Sequence, residues 1–179
     1  MIGGQAAGQA AGAQDPLTID IGGTSADIAL IEGAKPLIAA EGVLDGYSVR
    51  VPMVDVNAIG AGGGSIAWLD GSGALRVGPH SAGSEPGPAC YGRGGAEPTV
   101  TDASVVLGYI DPVYFAGGTM RLDPAAARDA IETKIAGPLG MSAEQAALGI
   151  HRVNDATMAE GIRFVSVKRG IDPRGFCLV

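Results

Sequence analysis

The chain has 179 residues, 46% of them hydrophobic and 4% aromatic, with 30 glycines and 11 prolines; 19 acidic against 12 basic residues leave a net charge of −7. That balance, with its basic residues scattered, repels a polyanionic backbone and argues against nucleic-acid binding, while the ample apolar share argues against intrinsic disorder and the length suits one domain or a piece of a larger one. No stretch approaches the roughly eighteen consecutive apolar residues of a membrane span, and MIGGQAAGQAAG lacks a basic and then strongly apolar leader, so a soluble cytoplasmic protein with no membrane partner is expected.

Residues 1–16, rich in Gly, Ala and Gln and closing on Asp15-Pro16, read as a lead-in segment, either a short helix or a frayed arm. From Leu17 onward LTIDI reads as a buried strand, GGTSAD as a polar turn, IALI as a second strand and Glu32-Gly33 as the next turn. A β-rich stretch follows from Pro36 to Val56, with turns expected at Gly42 and Asp45-Gly46. Next come the glycine run of IGAGGGSIAWLD and a turn at Asp70-Gly71-Ser72-Gly73 that closes a hairpin onto ALRVG. Between Gly78 and Pro98 the chain is so dense in Gly and Pro that regular structure is not expected, and an ordered loop of that length is usually functional.

Helical signals then take over. Thr101 is expected to cap DASVVLGYI, and Asp123-Pro124 supplies a cap and a first-turn proline before AAARDAIETKI. Ser142 and Gln145 form a capping box for a long helix whose Ala147, Ile150, Val153, Met158, Ile162 and Val165 make an apolar stripe, weakened by Gly149 and Gly161. Lys168 and Arg169 suit its C-terminal dipole and Gly170 its terminating position. GFCLV opens one more strand, so the chain reads as truncated.

The most informative segment for chemistry is IDIGGTSAD. Glycines at 22 and 23 let backbone N–H groups turn outward, Thr24 and Ser25 add hydroxyls, and Asp20 can hold a hydrated Mg²⁺, so the turn can cradle phosphates; a plain hairpin turn is the equal alternative. Gly60-Ala-Gly-Gly-Gly64-Ser65 hints at a dinucleotide fingerprint, but SIAWLDGSG does not read as the helix that motif needs. A tight corner at Gly62, Gly63 and Gly64, admitting a second loop or a phosphate, fits better. Asp55 can orient a water or a metal, or can be an ordinary strand-end carboxylate.

His80, Ser81, Glu85 and Cys90 could supply a nucleophile and a base, but their spacing enforces nothing, and a surface histidine with a packed cysteine is the plainer reading. Cys90 and Cys177 show neither zinc-ligand spacing nor a disulfide framework. His151 reads as a helix-face residue, Asp102 as a capping residue as readily as a catalytic one, and Arg93 as a loop arginine able to reach an anion.

Five blocks in one order, IDIGGTSAD, VDVNAIGAGGGSIAW, VGPHSAGSEPGPACYGRGG, PTVTDASVVLGYI and MAEGIRFVSVKRGIDPRGF, resemble the hydantoinase A family of N-methylhydantoinase, 5-oxoprolinase and acetone carboxylase β-type subunits. The resemblance runs from about Ile2 to Val179. It implies an α/β fold over 17–179: a lobe of the actin, Hsp70 and sugar-kinase (ribonuclease H-like) type, a mixed sheet flanked by helices. It implies ATP and Mg²⁺ as cofactors, with Gly22, Gly23 and Thr24 at the phosphates and Asp20 near the metal; the residue reading adds Ser25 and the corner at Gly62, Gly63 and Gly64 as candidate cofactor contacts and makes Asp20 and Asp55 the candidate catalytic carboxylates. Asp27 matches the last position of the same motif.

Members of that family phosphorylate and open a cyclic amide such as a hydantoin or 5-oxoproline, or prepare a ketone for carboxylation, commonly with a B-type partner subunit or domain. The resemblance covers the second of two such lobes, so this chain alone is expected to bind ATP weakly. The rivals are a carboxylase β-type subunit and a non-catalytic assembly module that forms homo-oligomers.

Overall fold

Short β-branched and aliphatic runs punctuated by glycine turns build most of the first sixty residues. The computed structural model describes residues 1–44 and 46–179. Helix α1 (Ile2–Ala10) leads into strands β1 (Pro16–Ile21) and β2 (Ala26–Glu32), followed by the short strands β3 (Lys35–Pro36), β4 (Ile38–Ala39), β5 (Gly42–Leu44), β6 (Tyr47–Val49), β7 (Met53–Val54) and β8 (Asn57–Ile59). Next come β9 (Ser65–Leu69) and β10 (Leu75–Ser81), then helix α2 (Val100–Val106) and α3 (Pro124–Ile131). The last of these runs through a π-turn at Glu132–Ala136 into α4 (Gly137–Leu139). Helix α5 (Ala143–Val165) and strand β11 (Cys177–Leu178) complete the order.

These elements form two compact units: Met1–Asp20, Ala26–Ile59 and Ala159–Val179 make the first, and Ile21–Ser25 with Gly60–Met158 the second. The first holds a mixed sheet in the order β11-β1-β2-β3, with β8 also paired to β2. Strand β11 runs parallel to β1, whereas β3 and β8 run antiparallel to β2. The expected closing strand at GFCLV is therefore present. Leu17, Ile28, Leu30 and Val165 are its buried centre, with Ile19 and Ile162 packed against them.

Gly161, which weakens a helix by propensity, has a tertiary reason: a Cβ there would lie 2.6 Å from Ile28 Cδ1 and 3.1 Å from Ile59 Cδ1, so those side-chain ends would have to shift to admit one. The lead-in is helical, and Gln5 Nε2 ties it to the Ala34 carbonyl at 2.6 Å. Gly42 lies inside β5 rather than at a turn, the bend falling at Ala40 instead, because the residue pairs in an antiparallel ladder with Val49. Of the turn expected at Asp45-Gly46, Asp45 lies outside the described residues.

In the second unit β9 and β10 form the expected antiparallel hairpin. The Asp70 side chain accepts from the Ser72 hydroxyl, from Arg76 and from the Ala74 and Ser72 amides, and these bonds, the Ser72 hydroxyl first, hold its carboxyl well below the usual range. Strand β10 continues past a register shift after Val77 as far as Ser81, so regular structure reaches into the stretch expected to be irregular.

Helix α2 is capped by Thr99, not Thr101: the Thr99 hydroxyl accepts from the Asp102 amide and the Asp102 carboxylate accepts from the Thr99 amide. Thr101 is displaced from the cap because it lies inside the helix, where it meets another loop, and the helix stops at Val106. Asp123 and Ser142-Gln145 cap α3 and α5 as expected. In the first unit α5 ends at Val165. Lys168 and Arg169 fall in a separate 3-10 turn closed by Gly170 at φ 77°, because the Ser166 backbone (φ −113°, ψ −79°) departs from helix geometry. Ala67, Ile131, Ile135 and Ile150 centre the second unit's largest core. Among the described residues no helix is long and apolar enough to cross a membrane.

Candidate anion-binding site

Residues Gly22–Ser25 close on themselves through a bond from the Gly22 amide to the Ser25 carbonyl at 2.8 Å. Two of their carbonyls are fastened to a second loop: the Gly63 amide donates to the Gly22 oxygen at 2.9 Å and the Gly64 amide to the Gly23 oxygen at 2.6 Å. With the carbonyls occupied on that side, the amides of Gly23, Thr24 and Ser25 have no hydrogen-bond partner among the described residues, and Gly22, Gly23 and Thr24 are exposed. Successive unpaired N–H groups at an exposed turn are donors of the kind that suit an anion.

The corner at Gly62–Gly64 admits a second loop, one of the two roles its composition suggested. A Cβ on Gly62 would lie 2.7 Å from the Thr24 carbonyl carbon and 2.8 Å from the Gly22 oxygen, both backbone atoms that cannot give way cheaply. From behind, the Thr101 amide and hydroxyl both donate to the Gly63 carbonyl, at 2.8 and 2.9 Å. From the side, the Ala82 amide donates to Gly64 at 2.8 Å, and Ser81 Oγ lies 3.4 Å from the Thr24 hydroxyl.

Ser81 and Thr101 were not legible as supports. Their partners lie 57 and 38 residues away, and no local pattern announces such contacts.

Asp20 is an exposed residue near the end of β1 and precedes the turn in the chain. Among the described residues no group of three or more His, Cys, Asp or Glu side chains converges to hold a metal. Asp55 is engaged within the first unit. Its amide donates to Leu37 at 2.9 Å and its half-buried carboxylate forms an ion pair with Arg169, whose guanidinium is held above its ordinary value by that bond. Asp27 is half-buried on β2 and pairs in register with Ala58.

His80 is exposed at the end of β10. Cys90 is fully buried; burial first, then the Asp102 charge, pushes its thiol upward, which makes it inert at neutral pH. Asp102 is itself fully buried and collects the amides of Ala89 at 3.2 Å, Cys90 at 2.8 Å and Thr99 at 2.9 Å, together with the Thr99 hydroxyl at 2.8 Å. The Thr99-x-x-Asp102 spacing carried that signal, as a capping-box variant. His151 lies on α5 with Nε2 3.1 Å from Ser104 Oγ and its ring edge-on to Tyr109. Ser104 directs its one hydroxyl proton to the Val100 carbonyl at 3.0 Å, so the His151 N–H donates to it, an arrangement of a satisfied pair and not of an activated nucleophile.

The hydantoinase/oxoprolinase family profile matches residues 1–179, the whole length of the chain. The chain belongs to that family. It is 51% identical over 168 residues to the caprolactamase subunit alpha of Pseudomonas jessenii, covering 94% of this chain and 24% of that one. The crystal structure of the ATP-dependent caprolactamase from Pseudomonas jessenii superposes with a TM-score of 0.87 at 50% identity, covering 98% of this chain and 26% of that one. A nucleotide-free acetone carboxylase, from work on ATP-dependent acetone carboxylation, superposes with a TM-score of 0.87 at 35% identity over 99% of this chain and 25% of that one. The family member described here thus spans about a quarter of the length of these relatives. Its mixed sheet flanked by helices is the lobe arrangement of the actin-like fold class expected from the five sequence blocks.

Proposed function

We propose that this chain is the phosphate-binding lobe of an ATP-dependent enzyme that opens a cyclic amide, working with a B-type subunit or domain. The observation that carries the reading is the turn at Gly22–Ser25, whose Gly23, Thr24 and Ser25 amides are unpaired among the described residues while its Gly22 and Gly23 carbonyls are fastened to Gly63 and Gly64. Such amides, with the Thr24 hydroxyl beside them, suit the oxygens of a polyphosphate and need no reorganisation to receive them. The ATP dependence named for caprolactamase and for acetone carboxylation supports the same ligand.

Bound ATP would supply a phosphoryl group to the amide oxygen, making a poor leaving group a good one. Gly23, Thr24 and Ser25 would orient the phosphates, and Gly62–Gly64 would act as their rigid buttress. Asp20 would hold Mg²⁺ through its hydration shell, one carboxylate being enough for a cation that keeps several waters. Asp55, paired with Arg169, would serve that unit by position and charge and would need release from its partner to orient a water.

A second reading, the β-type subunit of a ketone carboxylase, is favoured by the acetone carboxylase likeness, but the higher identity is to the amide-opening relative. Isothermal titration of the chain with Mg·ATP, repeated with Asp20→Ala, tests the binding role: heat lost in the variant supports it, and no heat with either protein overturns it. ATP-dependent ring opening, against ATP- and bicarbonate-dependent carboxylation, by the complete enzyme separates the two chemistries.

A further inference from the structure

We infer that Arg93 is a ligand-contacting residue of the same anion site, presented to the distal phosphates of a polyphosphate by a stiff loop fastened to the Gly22–Ser25 turn; this rests on the phosphate-binding reading above. The loop following β10 is built, not slack. Its base is fixed by the buried Asp102 carboxylate, which holds the Ala89 and Cys90 amides at 3.2 and 2.8 Å. Its two arms cross so closely that a Cβ on Gly95 would sit 2.2 Å from the Gly87 carbonyl oxygen.

At its near end the loop is tied to the anion turn. Ala82 donates to Gly64 at 2.8 Å, Gly83 donates to Ser81 Oγ at 3.1 Å, and that oxygen lies 3.4 Å from the Thr24 hydroxyl. Arg93 reaches back to this end: its Nη1 donates to the Ser84 carbonyl at 3.4 Å, one residue from Gly83, while its guanidinium sits 5.9 Å over the Tyr91 ring.

Arg93 also keeps its charge available. It is exposed between Gly92 and Gly94, both at positive φ, and forms no ion pair with any described carboxylate. The acid of its own loop that does pair, Glu97, is bound to Lys134 at 3.0 Å. In a chain of net charge −7, a cation free of acids and pre-positioned by a carbonyl and an aromatic face is fitted to an external anion. A guanidinium offers a planar fork of donors that phosphate oxygens accept bidentately, which backbone amides cannot do alone.

The test uses inorganic tripolyphosphate and adenosine as separate probes of the 179-residue chain, with Arg93→Ala, Arg93→Lys and Arg93→Gln, and with thermal melts to confirm folding. The expected result is tripolyphosphate binding by the unaltered chain, weakened about ten- to a hundred-fold in Arg93→Ala and Arg93→Gln and partly retained in Arg93→Lys. Adenosine binding should be unmoved by any of the three. Folded variants that bind tripolyphosphate as tightly as the unaltered chain overturn the role of Arg93 and leave the phosphate loop standing. Absence of tripolyphosphate binding by the unaltered chain overturns both.

Discussion

Thr101 meets Gly63 twice: its amide and its hydroxyl donate to the same carbonyl oxygen, at 2.8 and 2.9 Å. The Gly63 amide in turn donates to Gly22, so the first turn of α2 braces the Gly22–Ser25 turn through a single residue. Thr101→Val keeps the shape and the amide bond but removes the hydroxyl bond. It should cost about 1 kcal/mol, a fall of roughly 2–4 °C in Tm, and speed amide exchange at Gly22, Gly63 and Gly64, whose amides are bonded. Thr101→Ser should recover most of the loss. A valine variant with unchanged Tm and exchange would show that the hydroxyl bond carries no weight.

Glycine is required at 62 and optional at 23. A Cβ at Gly62 would press on the Thr24 and Gly23 backbone at 2.7 and 2.8 Å, whereas one at Gly23 meets nothing within 4 Å. Gly62→Ala should therefore lose about 1–3 kcal/mol and abolish phosphate binding, while Gly23→Ala should change stability by less than about 0.5 kcal/mol. Urea titrations of both variants check the contrast, which equal losses would contradict.

Asp102 accepts from four donors with both carboxylate oxygens engaged and no exposure to water. Asp102→Asn turns an NH₂ group toward N–H donors and should destabilise by about 2–3 kcal/mol. Limited proteolysis should then cut first within residues 82–98. Resistance equal to that of the unaltered chain would show that the loop holds without its anchor.

The two thiols should react in sequence. Cys177 is exposed and Cys90 is buried, with burial and the neighbouring Asp102 charge both pushing the Cys90 thiol upward. A disulfide reagent at pH 7.5 should titrate one thiol in the folded chain and the second only after unfolding. Because the folded value of Cys90 lies above the unfolded one, its contribution to stability is complete below about pH 8.5 and declines as pH rises beyond that. Rapid reaction of both thiols in the folded chain would contradict the burial.

His151 titrates in the opposite sense. Burial lowers its imidazole below the ordinary value, against the weaker upward pull of Asp155. The folded state therefore favours neutral imidazole, so its contribution is present above about pH 6.5 and is lost as pH falls through the folded value. Urea midpoints should decline between pH 7 and pH 5.5, and His151→Gln should remove part of that slope. An identical slope in the variant would assign the decline to other groups.

What could be read from the residues alone was everything whose physics closes within a few positions. The Asp123-Pro124 start, the Ser142–Gln145 box and the Asp70–Gly73 turn each satisfy their own backbone locally, and each stands where it was expected. The family also lay in the sequence, as five ordered blocks that match along the chain's whole length. Tertiary structure alone decided that Thr101 braces a glycine loop instead of capping α2, that Asp55 pairs with Arg169 114 residues away, and that Gly62 is small because Thr24 lies against it. A hydrogen-bonding group seeks whichever partner the packed chain brings within 3 Å, and for groups in loops that partner depends on the path of distant segments, which no local spacing encodes.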